Sequence, residues 1–260
     1  MSATASSVVS LFGTARAASL EAAPSVSVVI PVVADNEVLA GLLERLRGFT
    51  VPPDEIVIVD GGASAGCRSL ARRFRCVYVG TRAGRGHQLH AGALRATSDV
   101  FWFLHADAVP PADGVALIRA RHLDGAPGGY FGFRFTGPPG WHKRLLARLI
   151  NWRARVGTPY GDQGLFVARS AYDAAGGFAD VPLFEEVGLV SSLRRAGSFA
   201  PVAAEIGVSP RRWERDGWLW RTLSNRLLAL AFMLGVPPSR LAKRYRPLGP
   251  IQTGTDSDPC

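Results

Sequence analysis

The sequence predicts an α/β protein built on a doubly wound, mostly parallel β-sheet. Short apolar runs rich in β-branched and aromatic residues alternate with stretches in which leucines recur at helical spacing. The runs are almost entirely apolar, which is typical of strands covered on both faces inside a parallel sheet. No internal repeat or convincing linker divides the 260 residues, so a single domain is expected.

Four strands are predicted in the first half of the chain, with a helix between each successive pair. The strands cover 26–30, 56–59, 77–79 and 100–104. The helices cover 38–46, 67–74 and 87–96. Because a strand–helix–strand unit produces a parallel crossover, these four strands are expected in one parallel sheet.

The second half shows less regular patterns. Its elements are a half-exposed strand at 130–135, an arginine-rich amphipathic helix at 141–156, a short strand at 165–167, a helix with a broad apolar face at 218–234 and a basic segment at 240–246. Residues 1–24 lack a sustained apolar core and predict a flexible extension rather than a signal peptide. Residues 247–260 predict a disordered tail, which leaves one domain over 25–246.

The amino-acid composition favours three classes of binding partner but does not distinguish among them. Thirty basic and 21 acidic residues give a net charge of +9, which favours polyanions, anionic membranes or phosphorylated small molecules. No basic-aromatic motif accompanies the arginines, so nucleic acid is not expected as a partner. The three cysteines lack metal-ligand spacing and suit a reducing cytoplasm, and the longest apolar run, 227–236, is too short to span a bilayer.

Three carboxylates follow predicted parallel strands. Asp35 comes shortly after the first strand, Asp60 directly after the second and Asp107 after the fourth. Since ligands of open α/β sheets collect beyond the carboxyl ends of the strands, the three are expected on one rim. Asp107 is a hard oxygen donor suited to Mg²⁺ or Mn²⁺. The alternative is that it only begins a turn or caps the next helix.

A glycine-flexed loop lies between these carboxylates, at 81–86. It carries Arg82 and Arg85 at the start of a helix, where backbone N–H groups and guanidinium forks suit a diphosphate. An ordinary exposed turn is the alternative. The loop is not a Walker loop, because no Gly-Lys-Ser/Thr follows, and Pro31 after the first strand excludes a dinucleotide fingerprint.

Six short motifs, in order, resemble those of glycosyltransferase family 2. They are 26–35, 55–62, Gly84-Arg85-Gly86 with 90–93, His105-Ala106-Asp107, 161–164, and Phe184-Glu185-Glu186 with 193–197. The resemblance covers residues 26–246. It is strongest to the bacterial family 2-like transferases found alongside radical-SAM and selenium-domain proteins.

This resemblance implies a GT-A fold, in which a nucleotide-binding half is joined to an acceptor-binding half and C-terminal helices. It also implies a nucleotide-sugar donor, most often UDP-linked, an acceptor that the sequence does not identify, and Mg²⁺ or Mn²⁺. The implied substrate-binding residues are Pro31, Asp35, Asp60, Gly61, Arg82, Arg85, Asp162 and Gln163. Asp60 would hydrogen-bond the base, Asp107 would meet the metal, and Glu185 or Glu186 would be the general base.

The chemistry of sugar transfer agrees with that distribution of charge. Negative charge develops on the leaving diphosphate, so a metal and arginines belong on that side. A carboxylate near the acceptor can take the proton from the attacking hydroxyl. A covalent intermediate would need a further nucleophile, and none is evident, so inversion is expected.

Three positions depart from the family pattern. Ala65 stands where many relatives have an aspartate, His105 replaces the first acid of the DxD-type element, and Glu186 occupies a usual aspartate position. Most metal ligands are therefore expected from the diphosphate and water. His87 and His90 are one helical turn apart, but no cysteine or HExxH pattern supports a zinc site with His105.

Two other functions stay open. A nucleotidyltransferase normally needs a glycine- and arginine-rich loop after the first strand, and Pro31-Val32-Val33 does not supply one. A non-catalytic nucleotide-sugar-binding protein would have no use for the acidic pair Glu185-Glu186. Release of UDP from a UDP-sugar would indicate a transferase, whereas binding of the sugar nucleotide without turnover would indicate a binding protein.

The basic and apolar C-terminal elements also leave alternatives open. Arg211-Arg212-Trp213 is expected either to close over the donor phosphates or to form an exposed basic loop. The helix at 218–234 and the basic segment at 240–246 fit peripheral contact with the inner face of an anionic membrane. Packing on the catalytic domain and a homodimer contact are the other two options.

Overall fold

The computed structural model describes residues 23–245. Its strands are β1 Val26–Val32, β2 Glu55–Asp60, β3 Val77–Gly80, β4 Val100–Phe103, β5 Gly128–Phe135, β6 Phe166–Ala168 and β7 Ala200–Val208. Its helices are α1 Asn36–Arg47, α2 Ala65–Arg73, α3 Arg85–Arg95, α4 Gly114–Leu123, α5 Trp141–Val156, α6 Arg169–Ala174, α7 Val187–Ala196, α8 Arg211–Asp216, α9 Trp218–Met233 and α10 Pro238–Ala242. Apart from residues 23 and 24, the predicted extension and tail lie outside the described residues.

The strands form one sheet in the order β3-β2-β1-β4-β6-β5-β7. Within the described residues only β6 runs antiparallel to its neighbours, and the other pairings are parallel. The chain builds outward from β1 to β3 and then returns to place β4 on the other side of β1. This reversal is a topological switch point, where ligands of α/β sheets bind.

The central strands form because their residues are apolar on both faces. All four residues of β4 are buried, and Trp102 at its centre stacks on Phe131 with ring centroids 5.1 Å apart. Helix α1 covers one face of the sheet through four buried leucines at helical spacing, Leu39, Leu42, Leu43 and Leu46. Burial of these side chains from both sides fixes where each strand ends, and therefore where the polar residues after it begin.

The sheet confirms the predicted α/β fold class. The predicted strands and helices of the first half are all present, and β5, α5, β6 and α9 lie within two residues of their predicted ends. The basic segment at 240–246 begins inside the short helix α10. Helices α4, α6, α7 and α8 were not predicted from the sequence. Neither was strand β7, which pairs with β5 with an irregular register between Tyr130 and Gly132.

No helix within residues 23–245 is both long enough and apolar enough to cross a lipid bilayer.

Candidate active site

A cavity of about 180 Å³ lies beyond the carboxyl end of β4. Its walls come from the segments after β4 and β7, from the 3-10 turn Gly161–Gln163, from the segment before α7, and from α9. The charged and titratable side chains in these walls include Arg85, His105, Asp107, Asp162, Glu186 and Arg212. The carboxyl end of β4, on one side of the switch point, therefore opens onto a cavity in which charged side chains stand among apolar ones such as Leu104 and Ile206.

Asp107 lies in the turn that follows β4. The backbone N–H of Ala108 donates to the carbonyl of His105 at 3.1 Å, which closes this turn and directs Asp107 to the cavity. The Asp107 side chain is 41% exposed, and its Oδ2 lies 3.7 Å from Nη2 of Arg211. An exposed carboxylate beside a cavity is available to a cation.

His105, in the same turn, is neutral. Burial and the neighbouring Arg85 guanidinium lower the pKa of its imidazole to about 4. The imidazole lies against Gly161: a Cβ added to Gly161 would be only 2.9 Å from Nε2 of His105. Gly161 is therefore required for the imidazole to lie against the 3-10 turn.

These residues fit a divalent metal that takes most of its ligands from elsewhere. Asp107 offers oxygen, and residues 23–245 contain no group of three or more His, Cys, Asp or Glu side chains that could hold an ion alone. Mg²⁺ and Mn²⁺ at phosphate sites commonly use one or two carboxylates together with substrate phosphates and water. The single carboxylate suits that arrangement and does not suit a closed structural site.

The structure distinguishes Glu185 from Glu186, which the sequence could not. Glu185 does not line the cavity; its Oε1 accepts a hydrogen bond from Nε of Arg85, and its Oε2 is buried with no partner among the described residues. Glu186 lines the cavity, and its Oε1 accepts from the backbone N–H of Gly161 at 3.0 Å. Its Oε2 is buried and has no hydrogen-bond partner in the described part of the chain.

The environment of Glu186 favours its protonated form. Its residue is only 2% exposed, and burial together with the adjacent Glu185 carboxylate raises the pKa of Glu186 to about 7. A carboxyl group with that pKa can hold or release a proton near neutral pH.

Helix α3 is joined closely to the segment before α7. Arg82 and Arg85 form ion pairs with Asp180 and Glu185 respectively. Next to Arg85, the backbone of Gly86 is so close to this segment that an added Cβ would lie 2.1 Å from the carbonyl oxygen of Ala179. We call this contact the α3 seam. Both arginines predicted to face phosphates are thus also structural, and of the two only Arg85 lines the cavity.

Burial lowers the pKa of Arg85, but the carboxylates of Glu185 and Glu186 outweigh it and raise that pKa above its ordinary value. Arg85 therefore stays charged.

Asp60 lies at the same sheet edge as Asp107 but does not line the cavity. Its carboxylate is fully buried and accepts hydrogen bonds from the backbone N–H groups of Gly62 at 2.8 Å and Ser64 at 2.6 Å, and from the Tyr78 hydroxyl at 3.1 Å. These bonds shape the 61–64 turn. A direct bond from Asp60 to a nucleotide base stays a prediction.

The other residues predicted around the nucleotide lie at the ends of β1 and β2. Pro31 is in β1, Asp35 precedes α1, and both are partly exposed. Gly61 is confined, because an added Cβ would lie 2.9 Å from Cα of Ala83 and 3.0 Å from Nε2 of Gln88. The structure therefore gathers the ends of β1 and β2 and the loop at 81–84 into one region beside the cavity.

Asp162 and Gln163 follow Gly161 in the same 3-10 turn. Asp162 lines the cavity, burial raises the pKa of its carboxyl, and its Oδ1 has no partner among the described residues. Gln163 is fully buried and donates from Nε2 to the carbonyl of Phe131 at 3.3 Å. Asp162 is placed to contact a ligand, whereas Gln163 ties the turn to the sheet.

The Arg211–Trp213 segment is part of the cavity wall rather than a detached loop. Arg211 reaches Asp107, Arg212 lines the cavity, and Trp213 packs with Phe135 at a ring-centroid distance of 5.0 Å.

The three histidines considered as a zinc site are separated. His87 bonds Thr81 at 2.8 Å, His90 bonds the Tyr172 hydroxyl at 3.1 Å, and His105 alone lines the cavity. They do not form a common metal site.

Two kinds of residue at this site were not predicted from the sequence. Buried Gln88 donates from Nε2 to the carbonyls of Val32 at 3.0 Å and Val59 at 2.9 Å, so it ties the ends of β1 and β2 together. No local pattern marks such an amide. Arg221, only 6% exposed, enters the cavity wall from α9 beneath Tyr245, 4.8 Å from its ring centroid. The available signal was an arginine in the first turn of a mostly apolar helix.

The comparison with family models agrees with this site. The model described as glycosyl transferase family 2 matches residues 27–187. The chain belongs to glycosyltransferase family 2. The matched range contains the predicted carboxylates, the α3 seam and the Glu185-Glu186 pair, whereas the cavity walls formed by β7, α8 and α9 lie beyond it. The comparison with curated protein sequences found no significant match.

Solved glycosyltransferase structures share the fold. The mannosyltransferase PcManGT from Pyrobaculum calidifontis, in complex with GDP-Man and Mn²⁺, is 18% identical, with a TM-score of 0.60 over 85% of this chain and 67% of that one. Glucosyl-3-phosphoglycerate synthase from Mycobacterium tuberculosis, in complex with Mn²⁺, UDP and phosphoglyceric acid, is 18% identical, with a TM-score of 0.56 over 83% of this chain and 80% of that one. At these identities the likeness confirms the GT-A fold.

Proposed function

We propose that this glycosyltransferase carries out metal-assisted, inverting transfer of a sugar from a nucleotide-diphosphate donor to an acceptor hydroxyl. The observation that carries the proposal is Glu186, a buried carboxyl with a pKa of about 7 in the cavity that also contains Asp107 and several arginines. A proton acceptor and a phosphate-binding set in one cavity are the two requirements of direct displacement. We assign the domain to residues 25–246.

The leaving diphosphate is assigned to the wall formed by Asp107, Arg212 and Arg85. A divalent metal, when bound at Asp107, supplies positive charge that stabilises the diphosphate as the glycosidic bond breaks. Arg212 and Arg85 add fixed positive charge beside that position. Arg211, within ion-pair distance of Asp107, orients that carboxylate.

Glu186 is assigned as the general base, and Glu185 as the residue that positions Arg85. The N–H of Gly161 holds Oε1 of Glu186, which leaves Oε2 to accept the proton of the attacking hydroxyl. Attack from that side, with departure of the diphosphate from the other, inverts the anomeric centre. Asp162 is assigned to hydrogen-bond a sugar or acceptor hydroxyl.

The nucleotide is assigned to the ends of β1 and β2, around Pro31, Asp35 and Gly61, with Asp60 shaping the turn and Arg82 at its margin. A UDP-sugar is the proposed donor. The solved structures with this fold include complexes with GDP-Man and with UDP, so the nucleotide preferred by this chain has to be measured directly. Membership of the radical-SAM-associated branch is part of the proposal.

Two measurements test the function. Thermal shifts with UDP- and GDP-sugars, with and without Mn²⁺, identify the donor, and nucleoside diphosphate release measures turnover. Glu186→Gln should keep the thermal shift but lower kcat by about 10²–10⁴-fold. Glu37→Gln, on the exposed first turn of α1, is the matched control and should keep full activity.

Three results would reject the proposal. Binding of nucleotide sugars without any turnover would favour a non-catalytic binding protein. Pyrophosphate release from a nucleoside triphosphate and a sugar phosphate would indicate a nucleotidyltransferase. Full activity of Glu186→Gln would remove this residue from the role of base.

A further inference from the structure

Helices α5 and α9 each expose a stripe of large apolar side chains. On α5 the stripe is Trp141, Leu145, Leu149, Trp152 and Val156. On α9 and its C-cap it is Leu219, Leu223, Leu227, Leu230 and Leu234. All ten are between 46% and 88% exposed, and both stripes follow the same spacing of four, four, three and four residues. Such a stripe normally packs against a core, yet here it faces outward.

The two helices run side by side in the same direction. Near their first turns His142 contacts Trp218, with ring centroids 4.6 Å apart. Farther along, Arg153 of α5 and Arg226 of α9 line the same groove between the helices.

Both stripes therefore face the same side of the helix pair. Successive residues of an α-helix are about 100° apart around the helix axis. On each helix the centre of the stripe therefore lies roughly 110° from the centre of the residues that line the groove, clockwise on one helix and anticlockwise on the other. Because the two helices run in the same direction and face each other across the groove, these opposite rotations bring both stripes to one side of the pair. The cavity-lining residues of α9, such as Arg221 and Leu228, project to the other side.

Arginines flank this shared apolar face. Exposed Arg144, Arg148 and Arg155 lie beside the α5 stripe, and exposed Arg226 lies beside the α9 stripe. Within residues 23–245 none of the four forms an ion pair with a carboxylate. Neither helix contains an aspartate or a glutamate. The face thus has two apolar lines, with three arginines along the outer margin of α5 and Arg226 in the groove between the helices.

This charge pattern selects the occupant. A second copy of the chain would place four arginines against four arginines with no carboxylate between them, because a two-fold contact brings identical patches together. The segments outside the described residues are poorly matched as well, since 1–22 contain one carboxylate and 246–260 two. An anionic lipid surface satisfies both the apolar stripes and the cations.

We propose that the α5–α9 face docks on an anionic lipid bilayer. The tryptophans and leucines of the stripes enter the interfacial layer, and the flanking arginines bind headgroup phosphates. The catalytic cavity then lies on the side of α9 that faces away from the lipid. The proposal concerns binding alone and does not depend on the catalytic assignments.

Sedimentation of the full chain with lipid vesicles tests the docking. The chain should bind vesicles of phosphatidylcholine mixed with phosphatidylglycerol more tightly than vesicles of phosphatidylcholine alone, and high salt should weaken that binding. The emission of the exposed tryptophans Trp141, Trp152 and Trp220 should shift to the blue on binding.

Paired variants separate the two contributions. Arg144→Gln with Arg148→Gln should lower the partition coefficient roughly 25-fold, at about fivefold for each arginine. Leu223→Ser with Leu227→Ser should lower it by more than about tenfold. Both leucines are more than half exposed, so the fold should survive.

The matched control is Leu94→Ser with Arg95→Gln, at the exposed end of α3, which should change the partition coefficient less than about twofold. Absence of vesicle binding would overturn the proposal, as would a leucine variant that binds like the parent chain. Equally tight binding of soluble polyglutamate would indicate an acidic protein partner instead. A parent dimer that the leucine variant dissociates, without vesicle binding, would assign the face to self-association.

Discussion

Replacement of Glu186 by glutamine should stabilise the protein at high pH. Glu186 is buried, and its pKa in the folded protein is about 7, against an ordinary value of 4.5. The folded state therefore binds this proton more tightly than the unfolded state does. The resulting stability is fully present below about pH 4.5 and is lost as the pH rises through about 7.

The difference between the two pKa values sets the magnitude. It corresponds to about 3 kcal/mol at about 1.4 kcal/mol for each pH unit. Glutamine is neutral at every pH and can still accept the hydrogen bond from Gly161, so Glu186→Gln should avoid this cost. The difference in free energy of unfolding between Glu186→Gln and the parent chain should therefore increase by about 2–3 kcal/mol, in favour of the variant, when the pH is raised from about 5 to about 8.5.

Urea unfolding of both proteins at the two pH values measures this change. The control Glu37→Gln should differ from the parent by less than about 0.5 kcal/mol at both pH values. Glu185→Gln should instead destabilise the protein by about 1–3 kcal/mol, because Arg85 would lose its buried partner. A Glu186→Gln effect that is the same at both pH values would show that the carboxylate carries no burial penalty, and would refute the reasoning.

Four further outcomes are expected from the site. Below about pH 7, kcat/KM should fall about tenfold for each pH unit as Glu186 becomes protonated, which a pH profile checks. Asp107→Asn should raise the Mn²⁺ concentration that gives half-maximal turnover by more than about tenfold, which a metal titration measures. Gly86→Ala should destabilise the protein by about 1–3 kcal/mol in urea unfolding, because its Cβ would meet a backbone carbonyl at 2.1 Å. Gln88→Met should cost about 1–3 kcal/mol in the same assay, because it leaves two buried strand-end carbonyls without their donor.

The sequence predicted most of the parallel half of the fold, for a physical reason. Strands such as β4 are short, apolar and buried on both faces, so local composition alone marks them and their ends. Strand β7 carries no comparable signal. Its residues alternate between alanine, glycine and partly exposed positions, and it exists because β5 offers an edge about 70 residues earlier along the chain.

The site was predictable as a set of segments but not as a set of roles. Residues that follow parallel strands meet at one edge by topology, which is why Asp60 and Asp107 were placed together. The roles depend on distant partners. Glu185 and Glu186 are neighbours in sequence, and only their contacts with Arg85 and Gly161 separate the ion-paired carboxylate from the one that lines the cavity.

The α3 seam sets the spacing between Arg85 and Glu186. The buried Glu185 carboxylate pairs with Arg85, and the backbone of Gly86 closely approaches Ala179, so the segment at 179–186 and the start of α3 form one packed unit that carries both side chains. Within the described residues the opposite wall has no such seam. There Gly217, with a φ of +84° and open space around it, separates α8, which carries Arg212, from α9, which carries Arg221, so these two cationic side chains are joined through a residue that no side chain in residues 23–245 packs against.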